Sequence, residues 1–178
     1  MNKDELKVLE HLLDESRNTG GPMTQFIASN VDVYAAIAED AFVDMEKRLA
    51  EGRKPRSDGE GWILSFDPSQ ESFKSALVCI TFSALWLEAI LHLRIADQYG
   101  KSRSKEVDRK SYEEKLEILG VSDGELSCSL AAFRYLRREI IHEKAFFDQN
   151  KFRVAQDEAR KVRQLMQRVQ EKLVEAGR

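Results

Sequence analysis

Leu6, Leu9, Leu12 and Leu13 gather on one side of residues 3–17, and this spacing predicts a short amphipathic helix. The NTGGP run at 18–22 is a turn. Beyond it Ile27, Val31, Tyr34, Ala38, Ala41, Met45 and Leu49 step by three and four. That period predicts one long helix from about 24 to 51, ended by Gly52. Residues 52–70 lose the period. They are Gly, Pro and charge around an apolar centre at 62–66. A structureless loop of that length is uncommon in a compact domain. Of a flap with a short strand and a strap whose Trp62 and Phe66 plug the core, the strap is the reading preferred here.

The stretch 71–99 predicts a central helix that is apolar almost all round. Leu77, Ile80, Ala84, Leu87 and Leu91 form one stripe, and Val78, Phe82, Leu85 and Ala89 a second. A helix without a wet face must be covered on two sides. Its own bundle covers one side, and a second subunit is a natural cover for the other. Lys74, Ser75, Thr81, Ser83 and Glu88 make it a core helix rather than a membrane span. A basic linker is expected at 101–110. Ser111 and Glu114 form a capping box for a short helix that Gly120 stops. Ser122 and Glu125 form a second box, opening a helix that carries Leu126, Leu130, Phe133, Leu136 and Ile140. The last helix, about 151–176, has a heptad-like seam of Phe152, Ala155, Ala159, Val162, Met166, Val169 and Leu173. The sum is an all-α bundle of four main helices with extra short ones, one domain over 1–178. The helices at 3–17 and 24–51 pack on a core of about 70–175.

Composition narrows the function classes. The 178 residues carry 28 Lys+Arg and 31 Asp+Glu, a net charge of -3, which excludes a strongly basic nucleic-acid coat protein. The two halves differ: 1–100 is acidic, with 10 basic and 17 acidic residues, and 101–178 is basic, with 18 and 14. An anionic partner would favour the second half. Cys79 and Cys128 form no Cys-x-x-Cys pair and read as buried, reduced thiols, so no metal or other cofactor is expected. The charged N-terminus has no signal-peptide core, and cytoplasmic residence is the default.

The segment Leu136-Arg137-Arg138-Glu139-Ile140-Ile141-His142-Glu143 sets an Arg and a His four residues apart, late in the penultimate long helix. With the upstream FSALWLEAILHLRI helix and the SYEEKLEILG connector, this resembles the HEPN family (higher eukaryotes and prokaryotes nucleotide-binding) over about 70–175. The resemblance implies a helical bundle, a homodimer, and metal-independent cleavage of RNA by Arg137 and His142. It also implies a place in toxin–antitoxin or antiviral defence, with an antitoxin or regulatory protein as partner. A non-catalytic module that binds a protein or a nucleotide is the alternative. Where family members often carry a small polar residue after the Arg, this chain has Arg138. Where some toxins carry a Tyr two residues beyond the His, it has Lys144, which argues against regulation by nucleotide transfer onto that side chain.

The residue types suit the chemistry. Imidazole takes and gives protons near neutrality, and guanidinium offers a planar fork to phosphate while staying charged. Five residues turn an ideal helix by about 500°, which leaves the two side chains roughly 140° apart. They share a face only if the helix ends or kinks between them, or if two copies build the site. Arg138, Lys101, Arg103 and Lys105 are candidates for holding the RNA backbone. Other constellations fall away. Glu139 and His142 form a Glu-x-x-His, but no second copy completes a di-iron set. Glu88 and His92 read as an ordinary i,i+4 pair, and His11 as a lone histidine on a terminal helix.

Overall fold

The computed structural model describes residues 30–65, 68–141 and 154–177. The chain order is α1 (Val31–Glu51), β1 (Arg53–Pro55), β2 (Trp62–Leu64), α2 (Glu71–Glu106), α3 (Tyr112–Ile118), α4 (Gly124–Ile141) and α5 (Ala155–Ala176). The fold is all-α, with one two-stranded antiparallel sheet. The expected helix at 3–17, residues 24–29 of the second helix and residues 151–153 of the last one lie outside the described residues.

α2 is the axis of the domain. α1 and α5 both pack along it, and α3 and α4 attach to it and to each other. Its Ala76, Cys79, Ile80, Leu87, Leu91 and Ile95 are buried to within a few per cent. They meet Met45 from α1, Leu126 and Leu130 from α4, and Val169 from α5 in one core. Each such side chain is worth roughly 1.5–3 kcal/mol when fully buried. The predicted seam of α5 is the face that packs, with Ala159, Val162, Val169 and Leu173 buried. Two arginines fasten α5 to α1 beyond that seam. Arg160 grips Glu46 through Nε (2.6 Å) and Nη2 (3.0 Å), and Arg163 grips Glu39 through Nε and Nη2 while lying over the Phe42 ring. Planar bidentate pairs of this kind fix orientation as well as distance. Among the described residues α2 alone is long and apolar enough to cross a membrane; in this fold its buried stripe forms the core.

Four expectations are corrected. The segment after α1 is a hairpin and not a strap: Arg53 pairs with Leu64, Lys54 with Ile63 and Pro55 with Trp62. Gly59 and Gly61 take positive φ and let the chain reverse, and Trp62 is left 61% exposed instead of plugging the core. Phe66 lies outside the described residues. The basic stretch after α2 is not an extended linker, because residues 101–106 continue as helix beyond a break at Gly100 (φ 86°, ψ 162°). The break reverses the chain: Ser104 touches His92, twelve residues back, which a straight helix would place about 18 Å away. Asp123, and not Ser122, caps α4, accepting from the Leu126 N–H at 2.9 Å. Cys128 is exposed and only Cys79 is buried. Cys128 lies two residues, about 200°, around α4 from buried Leu126, whereas burial pushes the Cys79 thiol up to about 11.

The first capping box forms as the sequence predicts. The Glu114 N–H donates to Ser111 Oγ, and the Ser111 N–H donates to Glu114 Oε2 at 2.8 Å. The Ser111 backbone, with Lys110 and the Ser111 hydroxyl behind it, pulls the Glu114 carboxyl from an ordinary 4.5 down to about 2. A depressed carboxyl stabilises the fold fully above its unfolded value and loses that contribution as pH falls through the folded one. Glu114→Gln should therefore melt below the wild type at pH 7, and the gap should close between about pH 4.5 and 2. Thermal melts followed by circular dichroism across that range check it.

Candidate functional site

Three helices bring one polar cluster together on the flank of α2. Glu88 comes from the middle of α2, Tyr112 and Lys115 from α3, and Arg137 from α4. Each is placed by the apolar period of its own helix. Glu88 follows Leu87, Tyr112 and Lys115 share the inner face of a single short helix, and Arg137 follows Leu136. Arg137 Nη1 donates to Glu88 Oε1 at 3.0 Å and to the Tyr112 hydroxyl at 2.5 Å. Lys115 Nζ donates to Glu88 Oε2 at 3.1 Å. Glu88 thus spends both carboxylate oxygens on two cations, and the cluster keeps one uncompensated positive charge.

The cluster is graded from inside to outside. Lys115 is 3% exposed at its side chain, whereas Arg137 is 30% and Glu88 40% exposed. Tyr112 is buried, and its ring stacks on Phe133. Burial, with Glu88 beside it, pushes the Tyr112 phenol up to about 12, so at neutral pH it is a hydrogen-bonding group and not an acid. Burial works against the Arg137 charge, but Tyr112 and Glu88 more than offset it and raise its pKa. The arrangement is a fixed guanidinium with one edge tied down and part of its surface open to solvent. Such a group can bind an oxyanion or stabilise charge that develops on one.

Arg137 is therefore half-buried in a cluster. His142, its proposed partner, lies outside the described residues, as do Lys144 and His11. Arg138 is exposed and lies over the Tyr135 ring, 5.3 Å from its centre. Arg103 is exposed and pairs with Glu106. Lys101 and Lys105 are exposed on the same short helical stretch. None of these four touches the cluster among the described contacts. Glu88 and His92 are not the simple pair expected: Glu88 turns to Lys115 and Arg137, and His92 to Ser104. Glu88, Tyr112 and Lys115 are the site residues that sequence reasoning missed. The available signal was a lone carboxylate inside an otherwise apolar helix, which must find cations when the helix is buried. No group of three or more His, Cys, Asp or Glu suited to a metal occurs among the described residues.

Compared with protein-family models, with curated proteins and with solved structures, the chain matches none.

Proposed function

We propose that this protein is an HEPN-like endoribonuclease that works without a metal and as a homodimer. The observation that carries the reading is Arg137, held half-exposed by Glu88 and Tyr112 in a cluster with two cations to one carboxylate. That is the electrostatics a phosphodiester needs, on the arginine that the sequence motif singles out. Arg137 neutralises the pentacoordinate phosphorus, and His142 takes the proton of the attacking 2′-hydroxyl. Arg138, Lys101, Arg103 and Lys105 hold the flanking backbone by charge. A cytoplasmic role in toxin–antitoxin or antiviral defence, under an antitoxin or regulatory protein, accompanies this reading.

One observation favours a second reading. Arg137 Nη1 already serves two internal acceptors, as a structural arginine does. On that reading the fold is a non-catalytic module that binds a protein or a nucleotide. Incubating labelled RNA with the wild type and with His142→Ala separates the two. Cleavage by the wild type alone supports the ribonuclease, and no cleavage by either supports the module.

The dimer has its own support. Phe73 and Val78 on α2 are 42% and 40% exposed although the helix is otherwise the core. A second copy laid on this side would cover them. Light scattering at micromolar concentration should give about twice the 20.4 kDa chain mass. A clean monomer would contradict it.

A further inference from the structure

We infer that His92 is a second proton-transfer residue of the Arg137 site, delivering a proton to the oxygen that leaves phosphorus. The inference rests on the ribonuclease reading and adds to it a residue outside the Arg–His motif.

Position comes first. His92 follows Glu88 by four residues on α2, so the two side chains are neighbours on one helix face, with Cβ atoms roughly 5–6 Å apart. Glu88 Oε1 is 3.0 Å from Arg137 Nη1. A phosphodiester oxygen on the open part of Arg137 is therefore within reach of the imidazole. His92 is exposed, so its ring is open to such a ligand.

The ring is also held. The chain reversal at Gly100 lays Ser104 against it, with Oγ 2.9 Å from Nδ1, 3.3 Å from Nε2 and 3.4 Å from the His92 carbonyl oxygen. Ser104 is 1% exposed, so a buried hydroxyl fixes a surface histidine. The groups facing the ring are Glu88 on its own helix, Lys101 one turn before Ser104, Tyr112 and Lys115 on α3, and Arg137 on α4. An exposed histidine tied to a buried serine beside a cation cluster is a placed group.

Chemistry selects it. In-line transesterification puts the entering 2′-oxygen and the leaving 5′-oxygen on opposite sides of phosphorus, so one side chain cannot serve both. His142 takes the 2′-hydroxyl proton as the 2′-oxygen bonds to phosphorus. The bond from phosphorus to the 5′-oxygen breaks, and the His92 imidazolium gives its proton to that oxygen. The products are a 2′,3′-cyclic phosphate and a 5′-hydroxyl. His142 ends protonated and His92 neutral, and solvent returns both to their starting forms. The other members of the cluster are poor donors or acceptors for this step. Tyr112 sits near 12, Lys115 is buried on Glu88, and Glu88 accepts from two cations. Among side chains, imidazole is the one that trades protons near neutrality.

The test uses two RNAs, one ordinary and one whose scissile 5′-oxygen is replaced by sulfur, a leaving group that departs without a proton. His92→Gln should cut ordinary RNA about 10²-fold or more slower than the wild type and lose the alkaline limb of the pH–rate profile. On the 5′-thio RNA it should recover to within a few-fold of the wild type, whereas His142→Ala stays slow on both. Ser104→Ala should move the alkaline limb, which a merely structural serine would not do. If the wild type cleaves and His92→Gln keeps its rate and its alkaline limb, the His92 inference is wrong and the ribonuclease reading stands. Equal slowing of His92→Gln on both RNAs also overturns it. If the wild type cleaves neither RNA, the ribonuclease reading itself falls.

Discussion

Glu88→Ala should destabilise the fold by about 2 kcal/mol or more. Removing one partner of a buried ion pair leaves the other charge uncompensated, which costs about 3–5 kcal/mol when both are fully buried. Lys115 is almost fully buried, but Glu88 is 40% exposed, so solvent screening reduces the figure. The penalty belongs to the stranded Lys115 charge and not to a lost attraction. Lys115→Met should accordingly be near neutral, and adding it to Glu88→Ala should restore most of the lost stability. Urea unfolding of the two single variants and the double variant reads this directly. A Glu88→Ala midpoint equal to the wild type would mean that the Lys115 ammonium reaches water unaided.

Arg137→Ala should abolish most RNA cleavage, by about 10²–10⁴-fold, without unfolding the protein. The fold survives because Glu88 keeps Lys115 as a partner when Arg137 is gone. Arg137→Lys should recover little. An ammonium is a point charge and cannot keep the Tyr112 and Glu88 contacts while presenting a planar pair of donors to phosphate. Unchanged helical circular dichroism beside lost cleavage separates a site effect from a folding effect. Full activity in Arg137→Lys would show that charge alone is needed at this position.

The helices were legible because periodicity is a direct imprint of burial. Met45, Leu130 and Val169 lie on predicted stripes and are buried. The Ser111–Glu114 box was legible because it is a local hydrogen-bond pattern with a fixed spacing. The hairpin was misjudged because apolar content alone cannot say whether Trp62 faces a core or solvent; that depends on strand pairing through glycine turns. The α4 cap was misplaced by one residue because Ser122 and Asp123 are both good caps, and packing decides which is used. In the site, Arg137 stood out by motif. Its partners did not, since Glu88, Tyr112 and Lys115 come from helices 25 and 49 residues away in sequence. The approach of Ser104 to His92 depends on a single glycine break, which a helical period passes over.

The central claim is that the Arg137 cluster serves a ribonuclease built from side chains alone. Its most direct test is cleavage of labelled RNA in excess EDTA by the wild type beside Arg137→Ala and His142→Ala. The account predicts that the wild type retains its full rate with the chelator and that both variants fall by about 10²–10⁴-fold. Cleavage that vanishes with EDTA, or that persists in His142→Ala, would contradict it.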